Sequence, residues 1–413
     1  MVSPEQNQVR DCGNMFSPNR RFWSFATVLF GAISIFKGIR MPTRWAATQA
    51  LVNYDYGFVK RGLMGATLGK LFHGERYVCF SIVAYCLFAL FICALVLFTV
   101  RSHAFERLGK GQIAALFFSS YGVTYLANLV GYLDILLAIF TILLLLVEDP
   151  KRRFLIALPV CVVSLLLHES FLILFFPVIL LSFLVDLLET SENKTRILWM
   201  CGTLTVLAVG LTLKLALRAP MTPQQAAGIQ AELARRANFP LRGDYFLVLS
   251  RSMTDNLLIM KNIIFHNSVW ACLFLTTLIA FLPVVVLLVR SGVVVLYTYS
   301  KSRMRNLVAG FSLLATLSPL LMNFLGWDSV RWDAEVCLNA FLVVLILTRS
   351  APRLKKIEFS ARYQCAVILA IGLSMAAGEG LMYQKHISSF PFTSSFIHLL
   401  RYVKASGWQP PAL

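Results

Sequence analysis

Apolar stretches recur along most of the chain and are separated by short polar or basic segments. Many of them run for about 18 to 22 residues, enough for a helix to cross a hydrocarbon core of about 30 Å. The pattern predicts eleven transmembrane helices, at residues 22–39, 77–99, 111–127, 131–147, 154–168, 170–187, 197–216, 268–289, 305–324, 333–348 and 363–381. In lipid, each backbone polar group must be satisfied within its own helix. The predicted fold class is therefore all-α, a polytopic transmembrane bundle formed by a single integral membrane domain over residues 1–413.

Lysine and arginine are unevenly distributed between the two sets of loops. One set of short loops is basic: 101–110, 151–153, 194–196, 290–305 and 349–362. The alternate turns near 128–130 and 169 carry no cation, and the turn at 325–332 carries only Arg331. Because cytoplasmic loops collect Lys and Arg, the pattern predicts a cytoplasmic tail at 1–21 and an outer tail at 382–413.

Two long loops lie on the predicted outer side, at 40–76 and 217–267. Each contains a helix-forming amphipathic piece, PTRWAATQALV in the first loop and TPQQAAGIQAELARRA in the second. Such pieces usually lie in the plane of the lipid headgroups, with their apolar face toward the acyl chains.

The composition agrees with a membrane protein. Hydrophobic residues make up 58% of the chain and charged residues only 14%, whereas a soluble domain carries about 25% charged residues. Basic cytoplasmic loops beside anionic headgroups account for the net charge of +18. The chain has no basic soluble domain with which to bind nucleic acid. Its cysteines form no C-x-x-C pair, which indicates packing residues and no disulfide framework.

Polar residues concentrate at the level that this topology assigns to the outer face. They come from four segments: Asp55 in NYDYGFVKRG, Asp134 after NLVGYL, His168 and Glu169 in LLLHESFLIL, and Asp328, Arg331 and Asp333 in GWDSVRWDAE. Ionisable residues at membrane depth are costly and usually line a cavity or a pathway. The four segments therefore predict a single outward-facing cavity.

A structural role is open for most of these residues. Asp134 could cap the N-terminus of the fourth span, since Asp accepts backbone N–H bonds there. The His-Glu pair in LLLHESFLIL could simply be a polar turn between two helices. Arg331 could form a structural ion pair with Asp328 or Asp333. Asp55 precedes no obvious helix and has a dibasic pair five residues on, which favours a chemical role.

The segment VKRGLMGATLGKLF places glycines beside that dibasic pair. It is not a phosphate-binding P-loop, because three residues instead of four separate the glycines and no Ser or Thr follows the Lys. The small residues form a stripe at helical spacing: Gly62, Gly65, Ala66 and Gly69. Such a stripe lets a helix approach a neighbour closely. Lys60 and Arg61 would lie at the N-terminal end of this helix, where backbone N–H groups favour an anion.

These groups suit the transfer of a sugar from a lipid phosphate. The hypothesis assigns Asp55 as general base toward the acceptor hydroxyl, with His168 and Glu169 assisting the proton transfer or binding sugar hydroxyls. The candidates for stabilising the leaving phosphate are Lys60, Arg61 and Arg331. Further substrate contacts are assigned to Tyr54, Tyr56, Asp134 and Asp328. A divalent metal, Mg or Mn, could assist. The chain nevertheless has no D-x-D, EF-hand or His pair at i, i+4, so no metal ligand is assigned.

The architecture resembles the GT-C class of membrane glycosyltransferases. The resemblance lies in a first span followed by an outer loop with a juxtamembrane helix and a carboxylate (Asp55), then short outer turns, then the long loop 217–267. It covers roughly the first seven predicted spans. It implies a polyprenyl-linked sugar donor, a glycan or lipid-linked acceptor, and an active site on the outer face of a bacterial inner membrane. Many GT-C enzymes carry paired acidic residues in the first loop, whereas Asp55 stands between tyrosines, so metal use does not follow.

Three other functions are open from the sequence. A surface-polysaccharide polymerase or ligase of the O-antigen type would use the same outward-facing groups to join glycan chains. A transporter or flippase of a lipid-linked substrate would be expected to place ionisable residues near the midplane, often with repeat symmetry, and neither is visible in the sequence. A membrane acyltransferase with His168 as base is a minor alternative.

Overall fold

The computed structural model describes residues 19–69, 76–188, 194–217, 220–299, 304–326, 328–351 and 356–376. Within these residues the chain is helical and contains no strand, apart from an isolated bridge between Leu108 and Ile357. The expectation of an all-α fold is confirmed for this part of the molecule. Most of the predicted tail at 1–21, the end of the predicted span at 363–381 and the predicted tail at 382–413 lie outside the described residues.

Nineteen α-helices are described, numbered here in chain order. They are α1 Arg20–Gly38, α2 Arg44–Leu51, α3 Leu63–Thr67, α4 Tyr77–Arg101, α5 Ala104–Arg107, α6 Gln112–Phe118, α7 Tyr121–Asn128, α8 Leu133–Leu145, α9 Pro150–Leu167, α10 Phe171–Leu174, α11 Phe176–Leu184, α12 Lys194–Ala216, α13 Pro223–Arg236, α14 Gly243–Ser250, α15 Met253–His266, α16 Ser268–Tyr299, α17 Arg305–Leu317, α18 Ser329–Arg349 and α19 Ala361–Ala376. Short 3-10 turns lie at Tyr54–Tyr56, Gly109–Gly111, Val185–Leu188 and Ser318–Phe324.

Five helical segments in the described residues are long and apolar enough to cross a membrane. They are Tyr77–Arg101, Phe171–Leu188, Lys194–Ala216, Thr277–Thr298 and Arg305–Phe324. A sixth is present if α7 and α8, which meet at a bend of 119°, form one broken span. Several long apolar helices therefore fit an integral membrane protein, while the eleven spans expected from hydropathy are not established.

Apolar side chains on the outside of the bundle support this membrane character. On α4 the exposed residues include Ile82, Leu90, Val96, Leu97 and Val100, and on α12 they include Leu198, Trp199, Val206 and Leu213. Soluble monomers rarely expose contiguous apolar patches of this kind. The outer surfaces of these two helices are suited to contact with acyl chains.

Helix α18 forms the centre of the bundle. Each of its residues from Ser329 to Thr348 is buried, and it packs against α7, α16, α17 and the 3-10 turn Ser318–Phe324. Phe341 of α18 stacks on Phe117 of α6 with their ring centroids 4.1 Å apart. Because α18 is surrounded on all sides, any charged residue along it must be accommodated inside the protein.

Candidate functional site

The turn that carries Asp55 is built by local hydrogen bonds. The Asn53 side chain accepts from the backbone N–H of Asp55 (3.0 Å) and donates to the Asp55 carboxylate (2.8 Å). Gly57 then adopts a φ of +84°, a left-handed conformation that favours glycine. Tyr54 and Phe58 stack across the turn, with ring centroids 5.5 Å apart. The result is an exposed Asp55 carboxylate held in place by its own neighbours.

A close helix contact seats the dibasic pair that follows. A Cβ at Gly65 of α3 would lie 2.3 Å from the carbonyl oxygen of Val52, a distance that no side chain could tolerate. The absence of a side chain therefore lets α3 pack directly on the end of α2, as the small-residue stripe suggested. Lys60 and Arg61 immediately precede α3, so this contact fixes where they lie.

Arg61 forms a two-point ion pair with Glu169. Its Nη2 donates to Oε1 at 2.7 Å and its Nε donates to Oε2 at 3.2 Å. Burial opposes ionisation of Glu169, but the positive charge of Arg61 and its hydrogen bonds hold the pKa of that carboxyl well below its usual range. Burial likewise disfavours the charged form of Arg61, and Glu169 more than offsets this, so the pKa of Arg61 is raised. Both groups are charged at neutral pH, with 40% of the Glu169 side chain exposed.

His168 is buried, and its ring is oriented by Ser170. Its Nδ1 accepts from the backbone N–H of Ser170 (3.1 Å) and lies 2.7 Å from the Ser170 hydroxyl. Since Nδ1 is an acceptor, the neutral ring carries its proton on Nε2. His168 can therefore donate a hydrogen bond to a ligand from Nε2.

These residues line a cavity of about 230 Å³, named here the inner cavity. Its polar wall includes Lys60, Arg61, His168, Glu169 and Ser170, together with Thr212 and Asn256. Its apolar wall includes Leu165, Leu172, Ile173, Leu215, Met322 and Leu325. Within the described part of the chain, Lys60 forms no hydrogen bond or ion pair. The cavity therefore offers one uncommitted cation beside an apolar wall.

A second and larger cavity, of about 730 Å³, lies beside the first and is named here the outer groove. It is lined by Asp55 and Phe58 from the first loop and by Gln225, Glu232 and Arg236 from α13. Phe58 contributes to both cavities. Segment 55–61 thus supplies a carboxylate to the outer groove and two cations to the inner cavity.

The second long loop is anchored on the first. The backbone N–H of Arg242 donates to the Thr48 hydroxyl of α2 (3.0 Å). Tyr245 of α14 is buried and packs edge-to-face against Trp45, with centroids 5.3 Å apart. α13 begins with a reciprocal capping box between Thr222 and Gln225. These contacts hold α14 on α2, and α13, which packs against α14, lines the outer groove together with the turn that carries Asp55.

Arg331 pairs with a residue from a different helix. Its Nη2 lies 2.5 Å from Oδ2 of the fully buried Asp134, and its Nη1 lies 3.4 Å from Oδ2 of Asp328. Its guanidinium also lies over the rings of Tyr132 (5.1 Å) and Trp332 (4.6 Å). The sequence offered Asp328 and Asp333 as partners, and Asp328 is within ion-pair distance. The shorter contact, to Asp134, joins α18 to α8. Asp134 makes this contact in place of a cap, since the start of α8 has no side-chain cap.

Glu335 is a neighbour of this pair that the sequence analysis did not single out. It follows Arg331 by one helical turn on α18, is fully buried, and interacts electrostatically with Asp134 and Arg331. Its carboxylate oxygens have no hydrogen-bond partner within the described residues. The i, i+4 spacing of Arg331 and Glu335 was a signal that could have found it.

The structure brings together residues from all four polar segments, but in separate groups. Asp55 lines the outer groove, the Arg61–Glu169 pair lines the inner cavity, and the Arg331–Asp134 pair is buried inside the bundle. The three groups come from one end of the bundle, since Arg331 acts electrostatically on both Arg61 and His168. Tyr54 stacks on Phe58, and the side chain of Tyr56 lies outside what the structure describes.

Among the described residues there is no group of three His, Cys, Asp or Glu side chains arranged to hold a metal ion. Comparisons with protein-family models, with curated proteins and with solved structures find no match. The chemistry of these cavities is therefore the basis for a functional assignment.

Proposed function

We propose that this protein is a membrane glycosyltransferase that transfers a sugar from a polyprenyl-phosphate carrier to a glycan or lipid-linked acceptor. One observation carries the proposal. The short segment 55–61 supplies a carboxylate to one cavity and cations to the adjacent one, with Phe58 shared between them. Glycosyl transfer from a lipid phosphate needs a base for the acceptor and positive charge for the leaving group, side by side.

The inner cavity is suited to the donor. Lys60 can bind the carrier phosphate as a point charge, and the Nε2–H of His168 can donate a second hydrogen bond. Arg61 is already engaged by Glu169 at two points, so its role would be to position the loop and add positive potential. The apolar wall formed by Leu165, Leu172 and their neighbours offers a surface for the first isoprene units of the carrier.

The outer groove is suited to the acceptor. The exposed Asp55 carboxylate would remove the proton of the acceptor hydroxyl as that oxygen attacks the anomeric carbon. The bond between the anomeric carbon and the phosphate oxygen breaks, and the negative charge left on the phosphate is stabilised by Lys60. Glu232 and Arg236 of α13 are placed to bind hydroxyls of the acceptor.

The proposed membrane arrangement follows from the sequence. It has eleven spans, a cytoplasmic N-terminus and an outer C-terminus in a bacterial inner membrane, with both cavities facing the periplasm. Helix geometry supports it, because α18 carries Arg331 at one end and Arg349 at the other. At 1.5 Å per residue these positions are about 27 Å apart along the axis, close to the thickness of a hydrocarbon core.

The test compares surface glycans and carrier-linked intermediates in wild type, a deletion strain, Asp55→Asn and the control Glu358→Gln. Glu358 is an exposed carboxylate, 73% open to solvent and outside both cavities. We expect Asp55→Asn, at normal protein level, to match the deletion, and Glu358→Gln to match wild type. Loss of a single sugar would identify a transferase, whereas loss of the chain-length ladder would identify a polymerase or ligase.

A transporter of a lipid-linked substrate is the second candidate, and the buried Asp134–Arg331–Glu335 group favours it. Such groups inside a membrane bundle are costly and commonly belong to transport pathways. Unchanged glycans in the Asp55→Asn strain, together with lost export in an Asp134→Asn strain, would contradict the transferase and establish this alternative.

A further inference from the structure

A third cavity lies at the opposite end of the bundle from the candidate site. It has a volume of about 320 Å³ and is named here the arginine cavity, after the four arginines that line it: Arg101, Arg107, Arg153 and Arg349. They come from four helices, α4, α5, α9 and α18. Arg349 lies at the C-terminal end of α18 and Arg331 at the N-terminal end, so the arginine cavity and the candidate site are about 27 Å apart along that axis.

Three of the four arginines are fixed in place by the protein. Arg107 donates to the carbonyl oxygens of Thr348 (3.2 Å) and Ala351 (2.9 Å) at the end of α18. Carbonyl groups at a helix C-terminus lack partners within the helix, so these bonds hold α5 and α18 together. Their effect is to place a guanidinium at the wall of the cavity without neutralising its charge.

Two of these arginines also have carboxylate partners. Arg153 donates to Asp186 at 2.6 Å and to the Ser182 carbonyl at 3.1 Å. Arg349 lies 3.5 Å from Glu148 and donates to the carbonyl oxygen of Leu145. Arg153 is only 6% exposed, and its Nε has no hydrogen-bond partner among the described residues. A buried guanidinium with a donor left open is a strong binding group for an oxyanion.

The charges in this cavity do not balance. The four arginines face two carboxylates, Glu148 and Asp186, each already paired. Arg101 makes no hydrogen bond or ion pair within the described residues, and the nearby charge of Arg349 repels it. The excess of two positive charges favours an anion with several acceptor oxygens, and a phosphate group meets that requirement.

The surroundings of the cavity indicate a lipid as the source of that phosphate. Arg101 is preceded on α4 by the exposed residues Val96, Leu97 and Val100, and Arg153 is followed on α9 by the exposed Leu155 and Ile156. The exposed apolar residues of α4 and α9 are thus adjacent to Arg101 and Arg153. A headgroup bound in the cavity would leave its acyl chains against these two helices. Basic pockets between membrane helices bind anionic headgroups in this way.

We propose that the arginine cavity binds the phosphate of an anionic phospholipid at the membrane surface. The site is separate from the two cavities that the proposed function uses, and it does not depend on that function. The phosphate would bridge Arg101 and Arg153, joining the end of α4 to the start of α9 and thereby stabilising this end of the bundle.

The test uses the purified full chain in a neutral detergent, titrated with phosphatidylglycerol and, separately, with phosphatidylcholine and inorganic phosphate. Bound lipid is measured by native mass spectrometry for wild type, Arg101→Gln and Arg152→Gln. Arg152 is the matched control, since it is exposed, precedes Arg153 and does not line the cavity. Thermal midpoints without lipid establish that each variant is folded.

We expect phosphatidylglycerol to bind wild type and Arg152→Gln equally and Arg101→Gln about tenfold more weakly, the loss expected for one charge-assisted hydrogen bond. Phosphatidylcholine should bind all three proteins weakly. Equal binding of phosphatidylglycerol to all three proteins would overturn the proposal. If inorganic phosphate alone binds as tightly as phosphatidylglycerol and with the same dependence on Arg101, the site is for a soluble phosphate and the lipid assignment is wrong.

Discussion

The role of each candidate residue depends on which of its polar atoms are already bonded within the protein. Arg61 is held by Glu169, so Lys60 is the cation left available in the inner cavity. His168 is held by Ser170 through Nδ1, so Nε2 is the atom that can meet a ligand. The sequence identified these residues as a group, but it could not distinguish the ones that bind substrate from the ones that position them.

The Arg61–Glu169 pair predicts a pH dependence of stability. The pKa of Glu169 is lower in the folded protein than its ordinary value of 4.5, so the pair stabilises the fold at neutral pH. That contribution is lost as the pH falls below the ordinary value toward the lowered folded pKa. Since the pair is partly open to solvent, we expect it to contribute about 1 kcal/mol.

The measurement is the thermal midpoint of wild type, Glu169→Gln and the control Glu358→Gln, from neutral pH to below the ordinary Glu169 pKa of 4.5. Glu169→Gln should be less stable than wild type near neutral pH, and the difference should narrow as the medium becomes more acidic. The control should follow wild type throughout. A difference that stays constant with pH would show that the Glu169 charge does not contribute in this way.

The Arg331–Asp134 pair illustrates a limit of reasoning from the sequence at this scale. Asp328 and Asp333 are near Arg331 in the chain and were the natural partners to consider. The 2.5 Å contact is made instead by Asp134, almost two hundred residues away. A buried charge requires a partner, but the fold determines which helix supplies it.

At the scale of elements, hydropathy identified apolar segments but not where they bend. The predicted span at 111–127 is divided into α6 and α7, because the Ser120 hydroxyl accepts the backbone N–H of Val123 and starts a new helix. α7 then meets α8 at a bend of 119°. A short polar side chain can cap a helix without altering mean hydropathy, which explains why the pattern gave no sign of the division.

The contact of α3 with the end of α2 gives a prediction at this scale. Gly65→Ala would place a Cβ 2.3 Å from the Val52 carbonyl oxygen, so α3 must move and take Lys60 and Arg61 with it. Overpacking of this kind costs about 1 to 3 kcal/mol. We therefore expect a lower thermal midpoint together with weaker binding or turnover of the lipid-linked donor.

The matched control is Gly210→Ala in α12, where a new Cβ would meet nothing within 4 Å. This exposed helical position should tolerate alanine with unchanged or slightly raised stability. Equal behaviour of the two variants in the thermal and binding measurements would contradict the close contact proposed for α3.

At the scale of the whole molecule, the two ends of the bundle differ in charge and shape. One end has the inner cavity and the outer groove, which α13 helps to line, and the other has the arginine cavity. In the proposed orientation the first end faces the periplasm. The difference between the ends makes the orientation testable without knowledge of the substrate.

Single cysteines in a cysteine-free variant provide that test. Gln224→Cys on α13 and Glu358→Cys before α19 are both exposed positions predicted to face opposite sides. We expect a membrane-impermeant thiol reagent to label Gln224→Cys in intact cells and Glu358→Cys only after permeabilisation. The reverse pattern would place the candidate site in the cytoplasm and would contradict the proposed function.

The sequence by itself determined the all-α fold, the membrane character and the four polar segments that supply the candidate site. These features depend on the composition of each segment. A helix in lipid must satisfy its own backbone hydrogen bonds and carry mostly apolar side chains, and both requirements can be recognised from the local sequence. Only the tertiary structure decided that Arg61 pairs with Glu169 and Arg331 with Asp134, and that Phe58 lies between two cavities. These features depend on how each helix is rotated, bent and packed against distant parts of the chain. Local hydropathy does not predict such long-range contacts.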